Sequence, residues 1–182
     1  MKNLAFIIIV TLSMSFTSTA QHINWLTFEE AIALQKKKPK KIMMDVYTNW
    51  CGPCKMLDKN TFQNPDVVKY VNEHYYAVKF DAEGNENIKY KGKQYANKGF
   101  KPELVNRRNS VHDLTLALQV SAYPTIVFFD ENTDVIFPLR GYQQPQQLEL
   151  YLKMFLKDTH KSMKTQEDFN TYYKAFKPEF KG

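Results

Sequence analysis

The sequence predicts an α/β fold. Three observations carry that expectation: apolar runs of strand length alternate with helical stretches between residues 27 and 118, two β-rich runs then follow with only a turn between them, and the chain closes on amphipathic helices. The first element opens at Thr27-Phe28-Glu29-Glu30, a threonine followed three residues on by a glutamate, the pattern of a capping box. That helix continues through Ala31, Ile32 and Leu34 and ends in the lysines and Pro39 between 36 and 41. Ile42 to Tyr47 is apolar except for Asp45, which suits a strand covered on both faces. A helix starts at Cys51-Gly52-Pro53-Cys54 and runs toward Phe62, and Asn64-Pro65-Asp66 starts another with Pro65 in its first turn. Tyr76 to Asp81 is the next strand.

From Glu83 to Ser110 the chain turns polar and basic. Seven cationic residues (Lys89, Lys91, Lys93, Lys98, Lys101, Arg107, Arg108) face a single acid, Glu103, across residues 89–108. An excursion of this length in a compact domain signals function or looseness, and its charge suits either a solvated face or a docking surface for an acidic partner. A helix from Val111 to Leu118 follows, then a β-branched and aromatic strand from Ile126 to Asp130, a turn, and a hairpin partner from Val135 to Leu139. Gly141 breaks that pattern. Pro145 opens a helix with Leu148, Leu152, Phe155 and Leu156 on one face, and Gln166 to Phe176 repeats the helical spacing with Phe169, Tyr172, Tyr173 and Phe176.

The first twenty residues read as a secretory leader. Met1-Lys2-Asn3 is followed by an apolar run from Leu4 to Leu12 and by small residues at Ser18 and Ala20, which places cleavage between Ala20 and Gln21. The apolar run is too short to span a bilayer, which takes about 20 residues. The expected organisation is therefore a leader at 1–20, one domain at 21–160 carrying a basic insertion at about 83–110, and a helical extension at 161–182. Hydrophobic residues at 43% exclude a disordered or collagen-like chain, and a nucleic-acid partner is not expected of an exported domain even at net charge +6.

The two cysteines of the chain, Cys51 and Cys54, sit in one C-x-x-C, so none is left to staple the fold. A structural zinc site needs four ligands, and His22, His74, His112 and His160 are scattered without paired spacing. Thiol–disulfide chemistry fits better. Two cysteines in the first turn of a helix close a small disulfide loop, and the helix N-terminus favours the thiolate. Cys51 is the expected nucleophile, the more exposed of the two, and Cys54 the resolving thiol one turn inward. Pro53 suits the first turn. Asp45 in a covered strand should have a raised pKa and accept the Cys54 proton through water. Trp50 is expected to lay a flat ring beside Cys51.

These residues resemble the thioredoxin superfamily. The resemblance rests on Trp50-Cys51-Gly52-Pro53-Cys54-Lys55, on Asp45 and Lys79 in the flanking strands, on Tyr123-Pro124-Thr125 and on Gly141, in matching order over roughly residues 26 to 157. In detail the chain is similar to exported thioredoxin-like proteins such as the periplasmic C-terminal domain of the membrane electron carrier DsbD. The resemblance implies a central mixed sheet flanked by helices, Lys79 beside the Asp45 carboxylate, and a cis bond before Pro124. It further implies a substrate surface made by Trp50, Gly52, Pro53, Tyr123, Pro124 and Gly141, with no cofactor or metal beyond the Cys51–Cys54 disulfide. The expected activity is reduction of protein disulfides outside the cytosol, in the periplasm of a Gram-negative cell. Re-reduction would come from a membrane thiol–disulfide donor, and the protein would act as a monomer without stable membrane insertion once the leader is cut. The alternatives are a disulfide oxidase or isomerase, or a non-catalytic peptide-binding or chaperone module on the same fold.

Overall fold

The structure is a computed structural model describing residues 22–182. The expected leader lies outside the described residues.

A five-stranded mixed sheet forms the centre, in the order β1 (Trp25–Leu26), β3 (Tyr76–Asp81), β2 (Ile42–Tyr47), β6 (Thr125–Phe129) and β7 (Val135–Arg140). β1 and β2 both run parallel to β3, whereas β6 is antiparallel to β2 and β7 to β6. β1 escaped the sequence reading because two residues carry no period.

Successive side chains of the central strands feed two separate cores. Met43, Ala77, Ile126 and Phe128 join Leu57 of α2 (Gly52–Asn60), Val67, Val68 and Val71 of α3 (Pro65–His74), and Leu148, Leu152 and Phe155 of α5 (Pro145–Leu156) on one face. Met44, Val46, Val78, Val127 and Phe129 join Phe28 and Ala31 of α1 (Phe28–Gln35) and Leu114 of α4 (Asp113–Ala117) on the other. Covering both faces explains why β2 reads as a nearly unbroken apolar run. The capping box of α1 is present: the Glu30 N–H donates to Thr27 Oγ1 (3.2 Å) and the Thr27 N–H to Glu30 Oε2 (2.8 Å).

The basic excursion is ordered. It contains a two-stranded hairpin, β4 (Ile88–Tyr90) and β5 (Lys93–Tyr95), whose connecting pair Lys91-Gly92 has positive φ at both residues, as a tight I′-type hairpin turn requires. Ile88 is buried in the second core, the Tyr90 hydroxyl donates to the Thr133 carbonyl (2.7 Å), and Lys91 pairs with Asp134. Asn97 donates to the carbonyls of Glu83 (3.2 Å) and Ser110 (2.6 Å), closing the loop at its base. At the other end of the chain, α6 (Gln166–Ala175) buries no residue fully, although Phe169 and Tyr172 pack against the first core. None of the described helices is long and apolar enough to cross a membrane.

Candidate active site

Cys51 follows β2 by a short turn and is the N-cap of α2. Its Sγ accepts the Cys54 N–H at 3.1 Å, and the two cysteines are joined by a disulfide. Pro53 occupies the first turn, where the missing N–H is not needed. Cys51 is 3% exposed and Cys54 2%, so the expected difference in exposure is absent in the oxidised pair. What separates them is direction: Cys51 lines an open groove with Trp50, Gly52, Pro53 and Tyr123, and Cys54 does not.

Asp45 and Lys79 are register partners on parallel strands. They share the sheet face of Met43 and Ala77, the face that α2 covers through Leu57. Lys79 Nζ donates to Asp45 Oδ2 at 2.7 Å, while Asp45 Oδ1, buried, has no hydrogen-bond partner among the described residues. Burial raises the Asp45 pKa to about 6 against the opposing pull of Lys79. Burial alone would lower the Lys79 pKa, but the facing carboxylates of Asp45 and Asp58 overcome it and raise it. Lys79 also pairs with Asp58 on α2 and lies 4.8 to 5.5 Å from the ring centres of Tyr47, Trp25 and Phe62. Sequence reading missed Asp58. Its position seven residues after Cys51, two turns along the same helix face, was the available signal.

The Tyr123–Pro124 bond is cis, and the Pro124 carbonyl accepts the Gly141 N–H at 2.8 Å. Gly141 sits at φ +87°, a conformation that disfavours a side chain, which accounts for glycine where the chain leaves β7. Trp50 packs edge-on against Tyr123 (6.1 Å between ring centres) and donates its indole N–H to Glu83 Oε2 at 2.8 Å. Glu83, Arg108 and Asn109, all from the basic excursion, also line the groove, and sequence reading assigned none of them to the site. Among the described residues no three His, Cys, Asp or Glu side chains cluster as a metal site would need.

The assembled parts can exchange a disulfide: a redox pair at a helix N-terminus, an open groove on the Cys51 side, and a buried carboxylate with an idle oxygen behind it. Comparisons with known proteins point the same way. The family model described as a thioredoxin-like domain matches residues 28–156. The thiol:disulfide interchange protein DsbD of Pectobacterium atrosepticum is 28% identical over 148 residues, covering 76% of this chain and 22% of that protein. DsbD of Salmonella typhi is 29% identical over 137 residues, covering 74% and 17%. The chain thus spans about a fifth of the length of these curated relatives. Among solved structures, a thioredoxin-fold protein from Helicobacter pylori superposes with a TM-score of 0.57 at 20% identity, over 75% of this chain and 81% of that one. A proposed disulphide-isomerase from Bacteroides thetaiotaomicron gives 0.52 at 28% identity, over 81% and 100%.

Proposed function

The chain belongs to the thioredoxin-like family of disulfide oxidoreductases, and on that premise we propose that it reduces protein disulfides outside the cytosol. The observation that carries the reading is the Cys51–Cys54 disulfide backed by Asp45, a carboxylate 1% exposed with one oxygen unengaged. In the reduced protein the Cys51 thiolate attacks a substrate cystine, forming a mixed disulfide and releasing one substrate thiolate. Asp45 takes the Cys54 proton through water, and the Cys54 thiolate attacks the Cys51 sulfur of the mixed disulfide. The second substrate thiolate leaves and the Cys51–Cys54 bond re-forms, so two electrons pass to the substrate. Lys79 is a positioning residue that holds Asp45. Tyr123, Pro124 and Gly141 present backbone to an extended substrate segment beside Trp50, Gly52 and Pro53.

The leader at residues 1–20 supports export to a periplasm, with the domain at 21–160 and the extension at 161–182 forming the mature, monomeric protein. In an oxidising compartment a membrane thiol–disulfide donor would restore the dithiol. Insulin reduction driven by dithiothreitol, together with a redox titration against glutathione, tests the direction. A potential near about −270 mV is expected, and one near about −120 mV would make the protein a disulfide donor instead. The likeness to the proposed isomerase favours disulfide shuffling as the second reading, which recovery of activity from scrambled ribonuclease would reveal.

A further inference from the structure

The basic insertion supplies a wall of the active-site groove, an opening of about 710 Å³ that also holds Cys51, Tyr123 and the apolar side chains of Val111 and Leu116. Its last residues are locked in place around Trp50. Glu83 Oε2 accepts both the Trp50 indole N–H (2.8 Å) and the Asn109 backbone N–H (2.7 Å), so its charge is engaged by two donors and largely buried. Arg108 lies over the other side of this arrangement, its guanidinium carbon 5.1 Å from the Trp50 ring centre. It is exposed and makes no ion pair among the described residues. The groove therefore offers one cation without an ion-pair partner among the described residues, held over the Trp50 ring, next to the nucleophilic cysteine.

We propose that Arg108 makes the groove selective for protein segments that carry an acidic side chain beside the reacting cystine. The inference rests on the disulfide-exchange function proposed above and adds the substrate class. A guanidinium held over an indole ring still has N–H groups to offer a carboxylate, and has less side-chain freedom left to lose on binding. Arg107 and Lys101, whose N–H and carbonyl both bond the Asn109 side chain, are exposed beside Arg108, extend the same sign of potential and attract acidic segments before they dock. An apolar neighbour of the acidic residue would rest on Leu116, which is 62% exposed within the groove.

The test uses the reduced full-length mature protein and three oxidised peptides, identical except for glutamate, glutamine or lysine next to the cystine. The second-order rate constant of disulfide exchange is read for each. The glutamate peptide should react faster than the lysine peptide by about fivefold, the scale of a partly exposed ion pair. Arg108→Glu should reverse that order, whereas Arg107→Glu, exposed but outside the groove, should keep it. Equal rates for all three peptides, or an unchanged order in Arg108→Glu, would overturn the selectivity while leaving disulfide exchange intact. No reaction with any peptide would overturn the exchange function and the selectivity together.

Discussion

Two carboxylates are buried in this protein beside a lysine, and their surroundings differ. Glu149 on α5 is 0% exposed and fully engaged: Lys153 Nζ donates to Oε1 at 2.7 Å, the Glu179 N–H reaches both oxygens at 3.0 and 2.9 Å, and the Phe180 N–H donates to Oε2 at 2.9 Å. Through these bonds the last residues of the chain are tied back onto the domain, and Phe180 packs against Tyr70. Asp45 has one lysine, and its second oxygen has nothing. A buried charge with every lone pair occupied is an anchor. A buried charge left short of partners is costly, holds its proton near neutrality, and can hand that proton on.

Breaking the anchor should produce the largest effect. Glu149→Ala removes a buried acceptor facing Lys153 and frees the C-terminal residues, which should cost about 4 kcal/mol in urea unfolding and expose the tail to protease. A loss under about 1 kcal/mol would mean the tail contributes little. The same class of substitution at Asp45 should act in the opposite direction. The Asp45 pKa of about 6 lies above its ordinary value of 3.8, so its contribution to stability is fully present below pH 3.8 and lost as the pH rises through about 6. Asp45→Asn should therefore be more stable than wild type by about 3 kcal/mol at pH 8, with the gap closing between pH 6 and pH 4. Equal stability at both ends would show that Lys79 compensates the charge completely.

Activity sharpens the contrast further. If Asp45 takes the Cys54 proton, resolution of the mixed disulfide should fall off below pH 6 in wild type by about tenfold per pH unit, and Asp45→Asn should be slow with that limb gone. Stopped-flow trapping of the mixed disulfide would measure it, and an unaltered pH limb in the variant would assign the proton elsewhere. The smallest effect belongs to Asp58, half exposed and paired with Lys79. Asp58 raises the Asp45 pKa, so Asp58→Asn should move the same limb to lower pH while changing stability by about 0.5 kcal/mol. A shift to higher pH would contradict the arrangement.

Asp45 could be singled out from sequence because it interrupts an otherwise apolar strand. Glu149 could not, since a glutamate in an amphipathic helix looks like any solvated residue until the tail folds over it. The hairpin inside the insertion left a faint trace, the alternation Ile88-Lys89-Tyr90 and Lys93-Gln94-Tyr95 about Lys91-Gly92, but its length is too short for periodicity to stand out. Glu83 and Arg108 were visible as charges without any sign that both lie against Trp50.

Local pattern was enough to determine the α/β plan, the helix starts at Thr27 and Pro145, and the cysteine pair at the head of a helix, because caps, strand runs and first-turn residues act between near neighbours. The resemblance already placed Lys79 beside Asp45, 34 residues away, but tertiary structure alone decided which donors meet the other buried carboxylates: the Trp50 indole with Glu83 from 33 residues away and the Glu179 N–H with Glu149 from 30. Those pairings depend on which elements the two cores bring together, and burial then turns ordinary carboxylates into a fully bonded anchor at Glu149 and a half-bonded acid of raised pKa at Asp45.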